Sequence, residues 1–89
     1  MIKAIAIDDE PIALDIIRRY ADKISFINLE KQFLNGLEAK EYLKDNEVQL
    51  LFLDVRMPDI NGIDLFKELP EKPMVIFSTA YSEYALSGF

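Results

Sequence analysis

Leu50-Leu51-Phe52-Leu53-Asp54-Val55-Arg56-Met57-Pro58-Asp59 is the stretch whose reading decides the fold: four apolar residues in succession, then a carboxylate, then a proline turn. An uninterrupted apolar run of this kind predicts a strand buried on both faces, as at the centre of a parallel sheet. Asp54 then stands at the carboxyl end of that strand. In open α/β sheets the loops leaving that end splay apart and form the crevice where ligands bind, which makes Asp54 the first candidate for function.

Upstream, Ile2 to Ile7 is apolar except for Lys3 and runs into Asp8-Asp9-Glu10-Pro11, a second buried strand ending in an acidic turn. Pro11 suits the first helical position, with an acidic residue before it as cap. Ala13, Ile16, Ile17, Tyr20, Ala21 and Ile24 recur at helical spacing and predict one apolar stripe through about Lys23, with Arg18, Arg19 and Asp22 facing away. Ile27 and Leu29 alternate with Asn28 and Glu30, the period of an edge strand with one wet face. Asn35, with Glu38 three residues on, caps a short helix whose buried stripe is Ala39, Tyr42 and Leu43 and which fades at Asp45-Asn46.

The central strand, Val48 to Asp54, follows. Pro58 and Asn61-Gly62 mark a loop with a tight turn, and Leu65, Phe66 and Leu69 give the apolar side of a helix stopped by Pro70 and Pro73. Met74 to Phe77 reads as another buried strand, and Tyr81 to Phe89 as the start of a fourth helix with Ser82 as cap. Strands alternating with helix-length segments specify a doubly wound parallel α/β sheet. Right-handed crossovers then give the order 2-1-3-4, with the crevice between the first and third strands. Asp8, Asp9, Asp54 and Thr79 all fall at carboxyl ends of strands and converge on one place.

Composition bounds what such a place can do. With 89 residues, 51% of them apolar, the chain is a single packed domain, 1–89. The formal charge of -6 argues against direct nucleic-acid binding, which needs a basic face, and favours cations and basic partners. There is no cysteine, hence no disulfide or zinc-thiolate site, and no histidine, so a phosphohistidine must be supplied by another protein. No signal peptide is visible at Met1–Ile5 and no run approaches the roughly 20 apolar residues of a membrane span, so a cytoplasmic location is expected.

Carboxylates held together repel one another unless a cation neutralises them. Mg²⁺ suits the purpose, being a hard ion that takes oxygen ligands and joins one or two carboxylates to a phosphate oxygen. A carboxylate beside it can attack phosphorus to give an acyl phosphate, and Thr79 can donate to the new phosphoryl oxygens. Singly, each feature has an ordinary reading: an acidic helix cap for Asp8-Asp9-Glu10, a turn former for Asp54, a strand end for Thr79. Jointly they make a pattern. A haloacid-dehalogenase-like phosphatase needs a second Asp two residues after Asp54, where Arg56 stands, and a nucleotide or flavin domain needs a glycine-rich phosphate loop that neither strand opens into.

Asp8-Asp9, Asp54-Val55-Arg56-Met57-Pro58 with Gly62, and Thr79-Ala80 together resemble the receiver domains of two-component response regulators, over Met1 to Phe89. Phe77 to Leu86 is similar, more narrowly, to receivers that precede LytTR-type DNA-binding domains. The resemblance implies a flavodoxin-like (CheY-like) fold and a signalling phosphoacceptor rather than an enzyme, phosphorylated by a sensor histidine kinase. It implies that Asp54 is the phosphoacceptor, that Asp8, Asp9, Asp54 and the backbone carbonyl of Arg56 hold Mg²⁺, and that Thr79 is the switch hydroxyl. It further implies a fifth strand bearing a lysine and a fifth helix, both lacking here. The apolar Met74–Phe77 edge is therefore expected to pair with a second copy, as a homodimer or higher assembly, and the alternative reading is a phosphorylation-incompetent fragment serving as a structural dimerisation module.

Overall fold

In a computed structural model of the chain, residues 1–78 are described. Their elements follow in the order β1 (Ile2–Ile7), α1 (Pro11–Asp22), β2 (Ile27–Phe33), α2 (Gly36–Asp45), β3 (Leu50–Asp54), α3 (Gly62–Glu68) and β4 (Met74–Ser78). The strands form one parallel sheet in the order β2-β1-β3-β4, the arrangement expected from the alternation of strands and helices. The fourth helix and Thr79 lie outside the described residues.

Two apolar layers flank the sheet, and the alternation of β1 and β3 sorts side chains between them. Ile5, Ile7, Leu51 and Leu53 point to the side covered by α2 and α3, where Ala39 and Leu65 complete a dry core. Ala4, Ala6 and Leu50 point to the opposite side and meet Leu14 and Ala21 of α1. Two alanines on that face leave α1 room to approach the sheet closely.

Several local expectations change. The buried face of α1 is Leu14 and Ala21 with Ile17 beside them, whereas Ile16 and Tyr20 of the expected stripe are exposed and align with Ile12. Counting spacing alone leaves the origin of the stripe free, and packing on Ala4 and Ala6 selects the Leu14 register. Glu10 occupies the N-cap of α1 without a side-chain cap bond.

The second strand is longer than its alternation indicates and runs to Phe33 because it carries a bulge: Ala4 pairs with Leu29 but Ile5 with Lys31, so Glu30 is the extra residue. Without it Leu29 and Phe33, four apart, would share a face. With it Leu29 joins the α1 side and Phe33 the α2 side. The central strand starts at Leu50 rather than Val48, and Met74, Ile76 and Phe77 of β4 are exposed rather than buried. Met74 and Ile76 pair with Leu50 and Phe52, which places them on the α1 side of an outer strand of the described sheet.

Asn35 accepts from the Glu38 N–H at 2.9 Å, as expected for a cap of α2. Asn61 caps α3 through the Ile63 N–H at 2.8 Å, so Asn61-Gly62 opens a helix instead of making a tight turn. Gly62 is required by proximity: a Cβ there would strike the backbone carbonyl oxygen of Asp54 and lie 3.2 Å from Leu53 Cγ. Helix propensity alone predicts that Gly62→Ala stabilises the protein by up to about 1 kcal/mol. The close approach predicts a loss of about 1–3 kcal/mol instead, measurable by chemical denaturation, and a gain would contradict this packing.

Candidate functional site

Strands β1 and β3 are adjacent and parallel, with Ile7 opposite Leu53, so the residues that follow each must emerge side by side. Asp8 follows Ile7 and Asp54 ends β3, both buried, at 6% and 8% exposure. Asp9 is half-buried beside them. One carboxylate oxygen from each of Asp8, Asp9 and Asp54 lies within 4.8 Å of the others. Three of the residues singled out from sequence are thus brought together by apolar strand pairing.

Neighbouring backbone groups orient two of these carboxylates. The Glu10 N–H donates to Asp8 Oδ1 at 2.9 Å, so the acidic turn aims Asp8 into the site while α1 begins beyond it. The Arg56 N–H donates to Asp54 Oδ1 at 3.4 Å, a long bond that keeps the start of the following loop beside Asp54. Val55 is anchored on both sides, its N–H donating to the Ser78 carbonyl at 3.0 Å and its carbonyl accepting from the Gly62 N–H at 2.8 Å. The backbone of Arg56 therefore sits next to the acidic group, while Thr79 lies outside the described residues.

Electrostatics follow from this crowding. Burial, then the charge of Asp8, then a side-chain hydrogen bond with Asp9, push the Asp54 carboxyl from 3.8 up to about 7. Burial also raises Asp8; the Glu10 amide opposes this, and the charge of Asp9 adds to it. Two unit charges at such a separation repel by about 3 kcal/mol in a partly shielded setting. The donors are all oxygens and all acidic, which fits a hard divalent cation and no soft one. Among the described residues no helix is long and apolar enough to cross a membrane.

The fold and the site together define a doubly wound α/β domain whose acidic centre lies at the carboxyl end of a parallel sheet. The family model for the response regulator receiver domain matches residues 4–88, and the chain belongs to that family: it is a receiver domain of a two-component response regulator, a signalling protein and not an enzyme in the ordinary sense. It is 35% identical over 91 residues to the transcriptional regulatory protein BtsR of Escherichia coli K12, covering 100% of this chain and 38% of that protein. It is 36% identical over 90 residues to the transcriptional regulatory protein LytR of Staphylococcus aureus, covering 98% and 37%. Among solved structures, the MaeR response regulator bound to beryllium trifluoride superposes with a TM-score of 0.84 at 30% identity, covering 99% of this chain and 75% of that one.

Because Asp54 holds protons in the folded state that the unfolded chain releases, stability without metal falls as pH rises from 3.8 towards about 7. Thermal unfolding across that range should show the decline, and saturating Mg²⁺ should flatten it. Asp54→Asn should remove most of the decline and stabilise the metal-free protein by on the order of 1–3 kcal/mol at pH 8. A metal-free profile that is flat, or that rises with pH, would contradict the crowding of these carboxylates.

Proposed function

We propose that the chain is the phosphoacceptor switch of a longer response regulator, taking a phosphoryl group on Asp54 from the phosphohistidine of a sensor histidine kinase in the cytoplasm. The observation that carries this reading is the convergence of Asp8, Asp9 and Asp54 at the ends of adjacent strands. In it, a carboxylate oxygen of Asp54 forms a bond to phosphorus as the donor's P–N bond breaks, and the imidazole leaves with its electron pair. Asp8, Asp9, Asp54 and the Arg56 carbonyl are the proposed ligands of Mg²⁺, which supplies charge neutralisation for both the carboxylates and the incoming phosphoryl oxygens.

Burial and the nearby negative charges favour protonated Asp54, so the neutralising cation would also ready the nucleophile. Thr79 is the proposed switch hydroxyl: it follows Ser78, which pairs in register with Asp54, and phosphoryl oxygens on Asp54 would draw its hydrogen bond. The matching of MaeR in complex with beryllium trifluoride supports an acceptor site of this kind. The chain spans 37–38% of two relatives named as transcriptional regulators, which supports an output of the DNA-binding, LytTR type. A second reading, a module that self-associates through β4, is favoured by the exposure of Met74, Ile76 and Phe77.

Incubation with a small acyl phosphate and Mg²⁺, followed by mass mapping, tests the first reading. Phosphate should appear on Asp54 and vanish in Asp54→Asn, and omission of Mg²⁺ should slow its appearance at least about a hundredfold, since charge stabilisation is the main source of rate. Phosphate on Asp8, on Asp9 or on a hydroxyl would contradict the assignment. Phosphate absent altogether, with concentration-dependent dimerisation, would favour the second reading.

A further inference from the structure

The loop that carries the backbone of Arg56 is held at a second point, by a residue that takes no part in the acidic centre. Asp59 Oδ2 accepts from the Leu37 N–H at 2.9 Å, in the first turn of α2. Burial pushes the Asp59 carboxyl up, but hydrogen bonds from the Leu37 and Gly36 amides, joined by those of Asp59 itself and Ile60, outweigh it and hold the group below its ordinary value. An apolar contact seals the same junction. A Cβ on Gly36 would strike Ile60 Cγ2 and lie 3.3 Å from Met57 Cε, so the loop rests on α2 with no room for a side chain between them.

The ends of the loop are fixed by Val55 and Gly62; between them Met57 and Ile60 pack against the core and Asp59 supplies a hydrogen bond to α2. A small divalent cation demands near-ideal octahedral geometry, so a carbonyl that can swing binds it poorly. Partners that orient metal ligands matter accordingly. We propose that Asp59 is a positioning residue whose bonds to the first-turn amides of α2 latch the 55–61 loop and thereby hold the Arg56 carbonyl and the Asp54 carboxylate in cation-binding register. The latch rests on the reading of this site as a cation-assisted phosphoacceptor. It ties the acceptor to α2 across 22 residues of sequence.

Titration of the full chain with Mg²⁺ alone, followed by calorimetry or amide NMR, tests the latch in Asp59→Ala, Asp59→Asn and Gly36→Ala. Asp59→Ala should weaken Mg²⁺ binding about tenfold, the low end of the loss when ligand-orienting partners are removed, and speed amide exchange at Leu37. Asp59→Asn keeps an acceptor without the charge and should stay within about threefold of the parent, as a neutral hydrogen bond replaces a charge-assisted one. Gly36→Ala leaves Asp59 in place but displaces the loop, and should weaken binding as Asp59→Ala does. Equal losses in Asp59→Ala and Asp59→Asn would assign the effect to charge and overturn the latch, as would parent-like affinity in Asp59→Ala or Gly36→Ala. A parent chain that takes up no Mg²⁺ overturns the phosphoacceptor reading beneath it.

Discussion

The mutual repulsion of Asp8, Asp9 and Asp54 is the constraint on which the site depends. What gathers them is the hydrophobic effect, which pairs β1 with β3 and buries Ile5, Ile7, Leu51 and Leu53 completely. Folding energy gathered in the core is thus stored in part as electrostatic tension at the strand ends. Burial first and this repulsion second push Asp54 up to about 7, and a proton or a cation relieves the tension.

The loop after β3 shows how closely the backbone is built around that tension. Gly62 lets α3 pass directly over the Asp54 carbonyl, and Gly36 lets the same loop lie against α2. Both glycines serve proximity: neither has a positive φ. Between them β3, the loop and two helices become one packed unit on the α2 side of the sheet, while α1 packs separately on the other side against Ala4, Ala6 and Leu50.

Much of this was legible in the sequence because its cause is local. The apolar runs at Ile2–Ile7 and Leu50–Leu53 identify the inner strands, and residues that end two adjacent parallel strands must be neighbours, so the carboxylate group follows from topology alone. The α1 stripe was legible only in part: Ile17 and Ala21 belong to it, but Leu14 was missed and the exposed Ile16 and Tyr20 were included, because 3.6-residue spacing fits more than one face and only the sheet surface chooses between them. The extent of β2 was missed because the bulge at Glu30 breaks the alternation that marks a strand. Asp59 gave no signal beyond that of a turn former, since its partner amides lie in α2. Gly36 followed the Asn35 cap too closely to stand out from an ordinary helix start.

The account stands most directly on the ionisation of Asp54. A pH titration of its carboxyl carbon by NMR, in metal-free protein and at saturating Mg²⁺, measures that ionisation at the atom concerned. The metal-free midpoint should lie near 7, and Mg²⁺ should bring it down by two units or more, about 3 kcal/mol of preference for the cation over the proton. A metal-free midpoint near the ordinary value of 3.8, or one that Mg²⁺ leaves unmoved, would contradict it.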